Sequence, residues 1–242
     1  MTVLIQKRNG EIATANGFAA YLGFRERGRE IGFFEPHEFE GLTLTREMLV
    51  VGGVPVVKRA LEKLDVAFPS LPSIPASLAG FARREIWHAN LATVRAAVEG
   101  GERLFIKPAA DQLKQFPGHV ISGFGDLVTT AGFDNDTEVV CAQVLDMRSE
   151  YRVYVHHSEV LGCKHYWGDF RLFPDFRFID AAIAAFREAP VAYAIDFAVL
   201  ADGSTALIEV NDAFALGSYG LQPMLYARLL EARWQQLMAA GG

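Results

Sequence analysis

The chain has 242 residues, enough for one substantial core or two to three small lobes. Its 51% hydrophobic content argues for a compact globular protein without a long disordered tail, and its net charge of −6 disfavours a dedicated nucleic-acid binder. No run approaches the ~18 apolar residues of a membrane span, and Met1 to Arg8 lacks the regions of a signal peptide, so a cytoplasmic protein is expected.

In chain order, Val3 to Lys7 reads as a strand, Ala13 to Leu22 as a helix and Glu47 to Val51 as a second strand. Gly52-Gly53 then turns the chain into a helix over Val54 to Leu64, with Pro55 near its start, where a missing N–H is tolerated. This βαβ-like order suggests a small Rossmann-like lobe, and Gly52-Gly53 is either a plain turn or a phosphate contact at a helix N-terminus. The three prolines of Phe68 to Pro75 favour an extended connector. Beyond it, a helix is expected from Trp87 to Val98, then a strand from Arg103 to Lys107 stopped by Pro108. Three strand-like runs follow, Val139 to Gln143, Glu150 to Val155 and Val160 to His165, then a helix from Phe178 to Glu188. A hairpin over Tyr193 to Asn211 precedes a last helix, Gln222 to Met238. Cys141 and Cys163 are too few for a disulfide scaffold or a cysteine zinc site, and free thiols within apolar strands are expected.

The hairpin carries the most chemistry. Asp202-Gly203 favours a two-residue turn in which both central residues have positive φ. Counting outward places Ala201 opposite Ser204, Val199 opposite Ala206 and Asp196 opposite Glu209, with Asn211 on the face of Glu209. Facing carboxylates about 5 Å apart destabilise a sheet, so the pair calls for a compensating cation. Two carboxylates and an amide on one face suit magnesium held with a nucleotide's phosphates; the alternative is a solvated outer face of an edge hairpin. Because the acids repel, removing either one is expected to spare the fold.

Other candidates surround this pair. Lys107 at a strand end, and Lys114 in the loop after it, either reach nucleotide phosphates or are surface lysines. Gln143-Val-Leu145-Asp-Met-Arg148 fits a connection whose backbone reads an adenine edge, which makes Gln143 and Leu145 nucleotide candidates with Glu150 at the ribose. Glu150 and Arg152, two apart on a strand, read equally as an exposed ion pair. Lys164 is placed to face the same cleft as Arg152. His156-His157 reads as a turn, since neighbours on a strand point to opposite faces. His165, Tyr166 and Trp167 either line a substrate pocket or pack together.

The order strand-Lys-Pro, loop, Glu-Tyr-Arg strand, Asp strand and Glu-x-Asn thirteen residues later resembles the ATP-grasp superfamily. The resemblance implies an α/β fold of α+β lobes: a Rossmann-like lobe at 1–82, a small ATP-grasp lobe at 83–136 and a C-terminal lobe with the magnesium site at 137–242. It implies ATP and Mg2+, with Asp196, Glu209 and Asn211 as magnesium ligands, Lys107 on phosphate and Glu150 on ribose. Many members carry an arginine where this chain has Ala194. That departure looks like a divergent clade, which includes a eukaryotic translation-factor assembly protein and bacterial and phage proteins proposed to modify peptides. In such a clade Lys164 takes the arginine's place on the γ-phosphate, with Arg152 beside it as a catalytic cation. The implied activity is ATP-dependent carboxylate–amine ligation through an acylphosphate, on an amino acid, peptide or protein terminus. An ATP-binding assembly or regulatory factor with a protein partner and little turnover, or a phosphotransferase, uses the same residues. The loops Tyr166 to Asp175 and Ala213 to Gly220 are expected to shape the substrate pocket, and neither nucleic acid nor membrane is an expected partner.

Overall fold

In the computed structural model, residues 1–12, 14–109 and 116–240 are described. Alternation in β1 (Thr2–Gln6) buries Val3 and Ile5, and β1 pairs in parallel with β2 (Glu30–Phe34) and β3 (Met48–Val51) on either side. A parallel neighbour needs a crossover, supplied by α1 (Ala15–Glu26), whose first turn is capped by the Thr14 hydroxyl accepting from the Gly17 N–H. α2 (Val54–Lys63) follows β3 directly through Gly52-Gly53. Sequence patterning leaves β2 unassigned: Gly32 interrupts its apolar run, and only Phe34 is fully buried.

A second, antiparallel sheet has the order β4-β7-β5-β6, from β4 (Ile86–Asn90), β5 (Leu104–Pro108), β6 (His119–Ile121) and β7 (Glu138–Gln143). α3 (Leu91–Glu99) packs on it through Leu91, Val94 and Val98 against Ile106 and Cys141. The helix expected from Trp87 is thus a strand followed by a helix. Ile86 to Asn90 pair with β7, and the Asn90 side chain accepts from the Thr93 N–H, which makes Asn90 the cap where the strand ends. β7 lies beyond the boundary expected at residue 136, so that boundary divides this sheet, and strand pairing carries the small lobe to Gln143.

The third sheet, order β11-β10-β8-β9, is antiparallel throughout and comprises β8 (Met147–His156), β9 (Glu159–Gly168), β10 (Ala192–Leu200) and β11 (Thr205–Asp212). α4 (Phe176–Ala185) covers one face, where Ile179 and Ile183 meet Val153, Ile195 and Val210. β8 and β9 are joined by His157-Ser158, both at positive φ, a two-residue turn.

The β10–β11 turn differs from expectation. Gly203 is at φ +81 but Asp202 is not at positive φ, and the Leu200 N–H donates to the Ser204 carbonyl, so the loop is Ala201-Asp202-Gly203. The Ala201 N–H bonds the Asp146 carbonyl instead of a hairpin partner, and a three-residue loop closed by a left-handed glycine results. Val199 therefore faces Thr205 rather than Ala206. A bulge at Ile208 then absorbs one residue and returns Asp196 to Glu209, so the expected acid pairing holds despite the different turn.

α5 (Pro223–Ala240) runs back to the first lobe and lies against α1. Val3, Ile5 and Phe24 share one buried cluster with Tyr154, Ala194, Leu229 and Trp234. Arg27 and Arg29 of the first lobe both bond the buried Glu231 carboxylate of α5. The first lobe and the four-stranded sheet with the acid pair are thus joined through a common core.

Candidate active site

Residues paired across a sheet share a face, and the register sets Glu209, Asp196, Arg152 and Lys164 in one row across all four strands of the third sheet. Asn211 stands in the next row, paired with Ala194 and followed by Tyr154. This face is the one away from α4.

Arg152 engages Asp196 bidentately, with Nε 2.8 Å from Oδ1 and Nη2 2.6 Å from Oδ2, and both side chains are buried. Asn211 Nδ2 donates to Asp196 Oδ2 at 3.3 Å and to Glu209 Oε1 at 3.2 Å. From the end of β5 on the second sheet, Lys107 Nζ reaches to 3.6 Å from Glu209 Oε2. The protein's own cations therefore compensate both acids, and charge repulsion alone does not call for a metal. The expected Glu150–Arg152 ion pair gives way to Arg152–Asp196, because Asp196 lies directly opposite Arg152 and takes both arms of its guanidinium fork.

Burial pushes the Asp196 carboxyl up to about 6, against the Arg152 guanidinium that holds it down. It is charged at neutral pH, and the same ion pair raises Arg152 above its ordinary value despite burial. Because the folded pKa exceeds the ordinary carboxyl value, the native state binds this proton more tightly than the unfolded chain. Without metal, this group's contribution to stability is full below the ordinary value of 3.8 and is lost as pH rises through about 6. Urea unfolding across that window is expected to show the slope, and Asp196→Asn to flatten it; an unchanged slope in the variant would exclude Asp196 as its source.

Aromatic rings close over the row. Tyr219, at φ 41, stacks on Tyr166 with centroids 5.1 Å apart, and the Arg152 guanidinium lies 4.7 Å from the Tyr219 ring. The Tyr154 hydroxyl donates to the Gly217 carbonyl at 2.8 Å and holds the loop that presents Tyr219. Sequence reading places Gly217 to Gly220 near the pocket but gives no signal that Tyr219 covers Arg152. It misses Arg84 entirely, although this half-buried arginine bonds the carbonyls of Leu207 and Ile208 next to Glu209.

The remaining candidates are dispersed. Gln143 sits at a crossing between sheets, its Oε1 accepting from the Glu85 N–H and its own N–H donating to the Glu85 carbonyl. The Leu145 carbonyl accepts from the Met147 N–H. Lys114 lies outside the described residues. His165 packs edge-on against Tyr151, and Trp167 is exposed. Cys141 and Cys163 are free thiols that burial pushes up to about 11, so both stay protonated at neutral pH.

The donor set fits a hard divalent cation. Glu209 is about one-third exposed to solvent and lies beside Lys107, and Arg152 and Asn211 leave Asp196 with lone pairs to spare. Asn211 spends its N–H donors on the acids, which leaves its oxygen available. Among the described residues there is no group of three His, Cys, Asp or Glu side chains placed to hold a metal, so the amide is needed to complete the set.

A family described as an ATP-grasp domain, the second family of its clade, matches residues 81–229, more than half of the chain, and takes in the whole row. The chain belongs to the ATP-grasp family. No curated protein matches it. Its ATP-grasp fold is shared with solved structures of low identity. D-alanine–D-alanine ligase from Bacillus anthracis superposes with a TM-score of 0.59 at 15% identity, covering 100% of this chain and 99% of the ligase. N5-carboxyaminoimidazole synthetase from Staphylococcus aureus gives 0.62 at 10% identity, covering 96% and 77%. The ATP-grasp ligase PsnB, solved with a minimal precursor, gives 0.53 at 14% identity, covering 100% and 99%. At these identities the likeness concerns the fold. Among the described residues no helix is long and apolar enough to cross a membrane.

Proposed function

We propose that this ATP-grasp protein is an ATP-dependent carboxylate–amine ligase acting on an amino acid, a peptide or a protein terminus. The observation that carries the reading is the row Glu209–Asp196–Arg152–Lys164 with Asn211 beside it and Lys107 reaching in from the second sheet. Two acids and an amide at one end and two cations at the other suit a magnesium-bound polyphosphate whose terminal phosphoryl is to be transferred. The family match and fold relatives that are themselves named ligases and synthetases support it. PsnB, solved with a precursor, makes a peptide substrate a natural candidate.

In this reading Asp196, Glu209 and Asn211 would hold magnesium, which neutralises phosphate charge when bound. Lys107 binds phosphate oxygens as a point charge, and Lys114 is proposed as a second phosphate contact. Gln143, Leu145 and Glu150 bind the adenosine end. Lys164 and Arg152 stabilise charge at the γ-phosphoryl, while Tyr219 and Tyr166 keep water from Arg152. A substrate carboxylate oxygen bonds the γ-phosphorus as the bond to the β-phosphate oxygen breaks, giving ADP and an acylphosphate. The amine nitrogen then bonds the acyl carbon, the acyl carbon–oxygen bond breaks, and inorganic phosphate leaves as the nitrogen loses a proton. This route asks nothing of Cys141 or Cys163, consistent with their protonated state.

Incubation with MgATP, candidate acids and amines, followed by mass spectrometry, tests the reading. ADP with an amide supports ligation, and ADP with a phosphorylated product supports a phosphotransferase. Lys164→Ala is expected to stop turnover and Lys164→Arg to restore part of it; equal rates in both would remove Lys164 from the site. One observation favours a second reading. Both Asp196 oxygens are engaged by Arg152, an arrangement suited to an ATP-binding assembly or regulatory factor that turns over little, for which nucleotide binding without product is the expected result.

A further inference from the structure

Arg84 lies where the connector, packed into the core of the third sheet through Leu78 and Phe81, crosses to β4 of the second sheet. The other crossing, after β7, lies beside it, tied by the two hydrogen bonds between Glu85 and Gln143. The Arg84 guanidinium donates from Nη1 to the carbonyls of Leu207 at 2.7 Å and Ala82 at 3.2 Å, and from Nη2 to that of Ile208 at 3.0 Å. Leu207 and Ile208 immediately precede Glu209, and Ile208 is the bulged residue. In a regular strand successive carbonyls point to opposite edges, so one side chain does not reach both. The bulge brings two neighbouring carbonyls onto one planar fork, which Arg supplies and a point charge such as Lys does not.

We propose that Arg84 is a positioning residue for Glu209. It fixes the bulge that returns Glu209 to its place opposite Asp196, and it ties that bulge to the crossing of the sheet that carries Lys107. The inference rests on reading Glu209 as a ligand of the metal that accompanies ATP. Arg84 itself is assigned contact with neither metal nor nucleotide; it acts through β11.

The test is isothermal titration of ATP, with magnesium and with EDTA, into the wild type, Arg84→Met and Arg84→Lys, with circular dichroism as a check on folding. Arg84→Met is expected to lose about tenfold of the affinity that magnesium adds, the usual effect of removing a group that orients a metal ligand. Affinity in EDTA is expected to stay within about twofold, and Arg84→Lys, keeping the charge and a donor, to recover part of the loss. If Arg84→Met fails to fold, Arg84→Lys decides: a smaller magnesium effect with unchanged affinity in EDTA supports the assignment, and wild-type behaviour overturns it. A magnesium effect in Arg84→Met equal to the wild type overturns the Arg84 assignment alone. A wild type with no magnesium effect overturns the metal reading and the inference together. An equal loss with and without magnesium overturns the inference in favour of a general role in lobe packing.

Discussion

Asp196→Ala is expected to lower stability by about 3–5 kcal/mol as well as to abolish magnesium-dependent turnover. Seen as a sequence, Asp196 and Glu209 repel each other, and removing either relieves the fold. In the structure the Asp196 carboxylate instead takes both hydrogen bonds of the buried Arg152 fork, and its removal strands a cation in the sheet. The cost arises from the charge left behind rather than from the worth of the pair, since a buried ion pair is often no more stabilising than an apolar replacement. Asp196→Ala combined with Arg152→Met is therefore expected to regain most of the loss. Glu209→Ala behaves differently, because Glu209 is about one-third exposed and its Lys107 partner also reaches solvent. It is expected to stop turnover with stability changed by less than about 1 kcal/mol. Urea unfolding of the variants checks this contrast. An Asp196→Ala protein as stable as Glu209→Ala would show that Arg152 does not depend on its partner.

Gly23→Ala is the second variant with a large expected effect, and it acts far from the row. Gly23 lies where α1 meets the start of α5, and a Cβ there would overlap the Pro223 carbonyl oxygen and stand 2.8 Å from the Ala227 Cβ. The first obstacle is backbone, which no rotamer change relieves. Overpacking of this kind costs about 1–3 kcal/mol, and with the helices forced apart the upper end is expected, a fall in Tm of roughly 6–12 °C. Alanine's better helix propensity offsets less than about 1 kcal/mol of that. Thermal unfolding is expected to remain one transition, because the first lobe and the third sheet share a buried cluster. A Tm equal to the wild type would mean that the two helices separate at little cost.

What was legible in the sequence was what local chemistry determines. Apolar alternation, the prolines of the connector and the glycine turns mark most strands and helices, and the Asp196–Glu209–Asn211 spacing survives a misjudged turn. It survives because the extra loop residue and the extra bulge residue cancel, a compensation that no local signal reveals. β4 was hidden because Trp87 to Val98 is apolar enough to read as one helix, and only pairing with β7 makes its first part a strand. From the sequence alone Arg152 pairs with Glu150, two residues before it on the same strand, while its partner in the structure lies 44 residues away. Tyr219 and Arg84 stayed unread for the same reason: each acts through long-range contacts, one over Arg152 and the other on the bulge before Glu209.

The proposed chemistry depends on Asp196, Glu209 and Asn211 holding a divalent ion on the phosphates of ATP. The affinity for ATP, measured with magnesium and with EDTA in the wild type and in Glu209→Ala, tests this without reference to turnover. Tighter binding with magnesium is expected in the wild type and no such gain in Glu209→Ala, with Glu209→Ala folded as the wild type. Equal affinities with and without magnesium in the wild type, or a full gain retained by Glu209→Ala, would contradict it.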